Sequence, residues 1–394
     1  MTPAVLFLVV AIGAPPADFR ALTLAGDGPT GSLSAMGADG GVTIAGRALA
    51  AGEWYSLRRA GVPLPPWPRA AHAEFANGDR VVGAAIESDG STLHFRPDFG
   101  PGPAAVAVRF SLSAVRALWV RPHDAGDDDP AWLSAVRRTD VIQSRGGDIV
   151  RGAIAGLDAD GTLRFQTDGK DQRLDLAKIE AIGFNADLAR VRKPKGPYYR
   201  VTLANGTRLS LLTIRSDGRD VAGETLAKDA LSIPIAEVVA IDVDNGKAVS
   251  LSDLKPTKYE YDSYDGEKHT WVPDRSVAGR PLVLLVGGSE STFDRGLGLH
   301  AACRLTYSLA GKYRRLEMLV GLDARTGAKG EAVMKVILDG KERELPSRGE
   351  LKSAAPLDLR LDVTGVKEIT IVVERGAGGH VQDHVDVVGA RLVP

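Results

Sequence analysis

Arg295-Gly-Leu-Gly-Leu-His-Ala301 and Asp383-His-Val-Asp386 carry the side chains of this chain best suited to chemistry. The first stretch sets one histidine where a glycine-rich loop, whose backbone can turn tightly, meets an alternating strand from Arg304 to Leu309. Histidine, aspartate and arginine can form paired hydrogen bonds to neighbouring hydroxyl groups, and tryptophan or tyrosine offers a flat face to C–H surfaces. His300, Asp383, His384 and Asp386 supply the polar part of such a site. Arg295, Trp271, Tyr261 and Tyr264 lie in loop-like flanks that could complete it. Two readings stand for His300 and Asp383: contact with a ligand, or a buried pair that fixes the loop. Trp271 is either a platform or edge packing.

Other chemistries fit less well. His380 and His384 are four residues apart and would share a face only in a helix, whereas Gly376-Ala-Gly-Gly379 predicts loop and strand, so no metal ligands are assigned. Structural calcium near Asp262 to Asp274 stays open, although no ligand spacing singles it out. His123-Asp-Ala-Gly-Asp-Asp-Asp-Pro130 lacks the alternating carboxylates and terminal glutamate of a calcium loop and reads as a solvated turn. The chain has no nucleophile elbow, HExxH, P-loop or dinucleotide fingerprint. Its single cysteine, Cys303, provides no disulfide framework and reads as a small buried hydrophobe.

These residues must be positioned by strands. The 394 residues suffice for two to four domains, and 45 glycines, mostly in Asn-Gly, Asp-Gly and Gly-Gly pairs, are hairpin signals that point to an all-β chain. The net charge of -1 gives no whole-chain reason to expect nucleic acid or an anionic membrane. The basic linker Arg190 to Pro197, beside Tyr198-Tyr199, does not change that reading. Met1 to Gly13 is an apolar run of signal-peptide length without a basic start, which makes 1–17 a signal peptide cut near Ala14 or Ala17. No membrane span remains after its removal, and the mature protein is placed outside the cell, in the periplasm or in the cell envelope.

From Asp18 to Val243 a loose repeat of strand, Gly turn, strand, Asp-Gly turn, strand and apolar closing segment recurs. The copies close on Leu112-Ser-Ala-Val-Arg-Ala-Leu-Trp-Val120, Leu174 to Phe184 and Ile233 to Val243, with a degenerate first copy from Leu22 to Ile44. A spacing of roughly 60 to 70 residues is the length of a small antiparallel unit, SH3-like or a small barrel. Two units are assigned to 18–122 and two to 131–246. No histidine, cysteine or carboxylate cluster recurs among them, and partners for them are sought among envelope proteins.

After Asp244-Asn-Gly246 the texture changes, and 250–394 forms a separate domain. Leu282–Val286, Arg315–Leu322, Ala332–Leu338, Leu357–Val363 and Glu368–Val373 read as strands, and Asp339-Gly340 as a hairpin turn. About eight strands without helical periodicity imply a sandwich of two antiparallel sheets. From Leu251 to Val393 this part resembles the carbohydrate-binding module family abbreviated NPCBM, found attached to glycoside hydrolases and in secreted bacterial proteins. The matching residues are Leu251-Ser-Asp-Leu254, Gly296-Leu-Gly-Leu-His-Ala301, Tyr307-Ser-Leu309, Tyr313, Val320-Gly-Leu-Asp323, Val336 to Gly340, Asp362-Val-Thr-Gly365, Asp383-His-Val-Asp386 and Ala390-Arg-Leu392. Val385 and Val387 stand where the family usually has Ala and Trp.

The resemblance implies a galactose-binding-like jelly roll with a sugar site at one rim. On that basis the chain is expected to be an exported, non-catalytic protein that binds a polysaccharide or other glycan, with no cofactor. A structural or assembly protein of the cell envelope is the alternative. A glycoside hydrolase or its accessory subunit stands behind both, because hydrolysis needs two carboxylates held across a rigid cleft.

Overall fold

The computed structural model describes residues 18–100, 107–122, 130–135, 137–185, 187, 194–263, 266, 268–326, 330–376 and 382–394. The signal-peptide assignment, Tyr264, His380 and most of the acidic and basic connectors therefore lie outside the described residues. What is described is almost entirely antiparallel β-structure.

Four five-stranded units occupy 18–59, 72–119, 140–183 and 198–244. In the last three, the closing apolar segment is a short 3-10 turn followed by a buried strand: Leu112–Ala114 before Val115–Trp119, Leu176–Lys178 before Ile179–Gly183, and Ile235–Glu237 before Val238–Asp244. The long second strand of each unit shifts register part-way, as between Ala85 and Glu87 or Ile154 and Gly156. Such bulges bend a strand enough to serve two sheets.

The units do not pair in chain order. Trp54–Arg59 of the first runs against Val238–Asp244 of the fourth, with Leu57 opposite Ile241. Val115–Trp119 of the second runs against Ile179–Gly183 of the third, with Leu118 opposite Ile182. The divisions 18–122 and 131–246 follow the chain, whereas the closing strands join first to fourth and second to third. One continuous apolar core, from Phe19 to Val243, includes residues from all four.

The carboxy-terminal part is a sandwich. One sheet orders Val272–Pro273, Gly296–His300, His384–Val393, Arg315–Leu322 and Leu357–Asp362. The other orders Lys258–Tyr261, Cys303–Ser308, Glu368–Arg375, Ala332–Leu338 and Lys341–Arg343. Inward residues of both, among them Leu297, Leu299, Leu305, Tyr307, Ile371 and Val387, form one core. Gly296–His300, expected as a glycine-rich loop, is instead a fully buried strand. Its glycines serve close approach: a Cβ on Gly298 would lie 2.4 Å from the Arg275 carbonyl oxygen and from Val277 N.

Repeats and sandwich are locked together by a buried ion pair. Arg208 is fully buried in the fourth unit, and its Nε donates to Asp294 Oδ2 of the sandwich at 3.2 Å. Its Nη groups donate to the carbonyls of Pro65 (2.6 Å), Gly206 (2.7 Å), Pro66 (3.2 Å) and Thr292 (3.4 Å). Trp67 Nε1 donates to the other Asp294 oxygen at 3.0 Å, and the guanidinium groups of Arg80 and Arg275 lie over the indole, 3.5 and 4.4 Å from its centroid. Further contacts join the halves: Tyr55 O–H to Glu317, Arg315 to the Thr23 carbonyl (3.0 Å), Arg360 to Asp27 (2.9 Å) and Arg391 to Asp242 (3.4 Å).

Burial works against the Asp294 charge, but Arg208 and Arg200, with the Trp67 hydrogen bond, outweigh it and hold the carboxyl at about 2. A free aspartate titrates near 3.9, so the stabilisation is complete above about pH 4 and is lost as the pH falls towards 2. Asp294→Ala leaves Arg208 buried without its counter-ion and is expected to cost about 3–5 kcal/mol in urea unfolding. The variant's acid-unfolding limb should also be flatter; equal urea midpoints for variant and wild type would contradict this account.

Candidate functional site

Pairing of Gly296–His300 with His384–Val393 sets His300 directly opposite His384, Leu299 opposite Val385 and Gly298 opposite Asp386. Alternation sends Leu297, Leu299, Val385 and Val387 into the core, which leaves the two histidines at the other face and at one end of the sheet. Their ring centroids are 5.2 Å apart. His269, from the segment ahead of Val272–Pro273, lies flat on His300 with centroids 4.2 Å apart and planes 6° from parallel. Tyr261 meets both rings edge-on, at 5.6 Å from His269 and 6.0 Å from His300, and its hydroxyl is 3.3 Å from His300 Nδ1. Tyr259 fixes the His269 segment by donating to its carbonyl at 2.8 Å. Arg375, hydrogen-bonded to Asp262, holds the chain that leaves Tyr261.

His384 is half-buried. Desolvation, then the neighbouring His300, His269 and Arg280, lower its pKa to about 4, so it is neutral at physiological pH. A neutral imidazole offers one donor and one acceptor, which suits hydroxyl groups better than ions.

The remaining expected site residues have other positions. Asp383 is buried at the same end, where its Oδ1 accepts from Glu331 N at 3.0 Å and its carbonyl accepts from Ala301 N at 3.1 Å. It shapes the turn that brings His384 to His300. Asp386 is fully buried and accepts from Val283 N at 3.0 Å; burial and the nearby Asp323 push its carboxyl well above the usual range. Trp271 is partly buried against the sandwich core beside the histidines. Arg295 precedes the opposite end of the His300 strand, where it pairs with Asp253 (2.6 Å) and Asp274 (2.8 Å). A five-residue strand, about 16 Å long, separates it from His300.

The sequence reading missed His269 altogether and gave Tyr261 only a flanking place. The one signal was position: both lie on the segment that must cross the end of Gly296–His300 on its way to Trp271. Asp262 and Asp274, the limits of the calcium expectation, are engaged by Arg375 and Arg295 respectively. Among the described residues, no three His, Cys, Asp or Glu side chains are grouped so as to hold a metal ion. Cys303 is buried, and desolvation raises its thiol pKa to about 12, which keeps it protonated and unreactive.

Residues 247–393 match the NPCBM/NEW2 domain family model. Among solved structures, the chain is similar to the CBM51 of a Clostridium perfringens GH95 in complex with methyl-galactose, at 23% identity over 37% of this chain and 99% of that one, with a TM-score of 0.33. It is also similar to the CBM51-2 and INT domains of Clostridium perfringens ZmpB in complex with GlcNAc, at 24% identity over 44% of this chain and 36% of that one, TM-score 0.33. The tandem CBM51 modules of a family 98 glycoside hydrolase from Streptococcus pneumoniae match at 14% identity over 83% of this chain and 97% of theirs, TM-score 0.33. No curated protein sequence matches the chain.

The depressed pKa of His384 has a measurable consequence. Its neutral form is favoured by the fold, so its contribution is present above about pH 6.5 and is lost as the pH falls towards 4. The thermal midpoint of the wild type should drop across that window more steeply than that of His384→Gln, whose side chain does not titrate; parallel profiles would contradict the assignment.

Proposed function

We propose that this chain, whose residues 247–393 form an NPCBM domain, is an exported, non-catalytic protein that recognises a glycan at the rim formed by His269, His300, His384 and Tyr261. The observation that carries the reading is the stacked His269–His300 pair with a neutral His384 across from it. Together these rings offer aromatic surface for the C–H face of a sugar, and His384 offers a neutral donor and acceptor for its hydroxyls. Trp271, on the segment next to His269, adds a partly buried aromatic side chain, whereas Val387 faces the core and takes no part in the rim. Asp383 acts through the turn and is a positioning residue, and Asp386 belongs to the frame.

Hydrolysis is not favoured by this rim. A glycosidase needs one carboxyl as acid and another as base or nucleophile, both facing the substrate. Asp383 and Asp386 are buried, each with an oxygen engaged by a backbone N–H.

The test is a glycan array with the full chain, followed by calorimetry on any hit, with galactosides and N-acetylglucosamine oligosaccharides in the panel. His269→Ala and His300→Ala are each expected to weaken binding by about tenfold or more, a loss of about 1.4 kcal/mol; the half-buried His269 should leave the thermal midpoint nearly unchanged, whereas the buried His300 also lowers it. Asp383→Ala should instead lower stability by about 1–3 kcal/mol, because the Glu331 N–H loses its acceptor. Absence of binding to every glycan in the panel would reject the function and favour an assembly role.

A further inference from the structure

A second polar pocket, of about 520 Å³, opens where the fourth repeat unit meets the sandwich, at the Arg295 end rather than the histidine end. Its polar wall is Asn77, Tyr198, Arg200, Asn245, Asp253 and Arg295. The charges in that wall are already matched: Arg200 pairs with Asp244 at 3.2 Å, and Arg295 pairs with Asp253 and Asp274. The pocket therefore offers no excess charge to select a phosphate or a cation.

What it offers is complementary amide groups. Asn77 Oδ1 accepts from Asp79 N at 3.1 Å, which leaves the Nδ2 protons as donors. Asn245 does the reverse: its Nδ2 donates to the carbonyls of Pro194 (2.9 Å) and Gly196 (3.4 Å), which leaves Oδ1 as an acceptor. A donor and an acceptor on facing segments, with the Asp253 carboxylate nearby, fit adjacent hydroxyl groups. The pocket shares Ala76, Asn77 and Leu226 with a neighbouring hollow of about 590 Å³ backed by the buried Phe75, Phe110 and Leu209, so a polar compartment adjoins an apolar one. Both volumes fall within the range of about 300–1,000 Å³ usual for ligand sites.

We infer that this junction groove is a second carbohydrate site, which takes a neutral oligosaccharide of at least two residues. One residue has its hydroxyls on Asn77, Asn245 and Asp253. The next lays its C–H face over Ala114, Leu226 and Ala227, the more accessible apolar part of the hollow, above the buried Phe75 and Phe110. The site draws residues from the second and fourth repeat units and from the sandwich, so it exists only while the three are docked. The inference rests on the glycan-binding reading above but concerns different residues.

Calorimetry of the full chain with tetrasaccharides of N-acetylglucosamine and of galactose separates the two sites. Two binding events per chain are expected, of which His300→Ala removes only one. Asn77→Asp combined with Asn245→Gly should weaken the other by about tenfold or more. Aspartate keeps an acceptor for Asp79 N, and glycine tolerates the positive φ of 58° at Asn245 while giving up only the Nδ2 bonds to the Pro194 and Gly196 carbonyls. An unchanged thermal midpoint verifies that the fold is intact. A single event that His300→Ala abolishes and the asparagine variants leave intact would overturn the junction site while sparing the rim. A single event with the opposite pattern would support the junction and overturn the rim. No binding of either tetrasaccharide would overturn both.

Discussion

A buried guanidinium must be surrounded by acceptors, and the docking of the repeats on the sandwich depends on how Arg208 meets that demand. Four carbonyls and one carboxylate converge on it, from the connector Pro65-Pro66, from the turn at Gly206, and from Thr292 and Asp294 of the sandwich. No one segment could satisfy the group. Its burial therefore couples three stretches that are far apart in the chain, and misdocking would leave a charge uncompensated in a dry environment. Trp67, in contact with the guanidinium groups of Arg80 and Arg275, holds the other oxygen of Asp294. The Arg295 pairs with Asp253 and Asp274 extend this charged seam along the sandwich.

Docking has a bearing on how the sandwich edges are used. The end of the Gly296–His300 strand nearest Arg295 adjoins the fourth unit at Asp244, whereas at the other end the half-buried His269 and His384 surround the buried His300. The two ends are also chemically distinct. One is rich in paired formal charges, whereas the other is built from rings, with a histidine kept neutral by burial and by its neighbours. A neutral His384 and matched charges both suit uncharged polar ligands.

Much of the fold was legible in local patterns. Alternation along Arg315–Leu322 and Ala332–Leu338 marked sandwich strands, and the recurring closing segments marked the ends of the repeat units, because both signals are confined to a few neighbouring residues. The pairing of the units was not legible, since Leu57 and Ile241 are each simply buried aliphatics whose partner is set by the tertiary arrangement. Gly296 and Gly298 misled because glycine marks either a turn or a close approach, and only the position of residues 275–277 decides between them. Arg295 and His300 looked like one site because they are near in sequence, yet a strand carries its two ends apart. His269 left no signal beyond its position ahead of Trp271, because stacking across segments has no sequence period.

The arrangement of the repeats is nested, the second and third units within the first and fourth. A chain emerging from its amino terminus can close the inner pair as soon as Ile179–Gly183 is made. The first unit must wait: Trp54–Arg59 has one edge satisfied by Asp18–Thr23, and its other edge stays open until Val238–Asp244 appears. An open strand edge invites pairing with another chain. The interval between the two strands is thus the period in which nascent molecules are most exposed to mispairing, and its length is fixed by the order of the units.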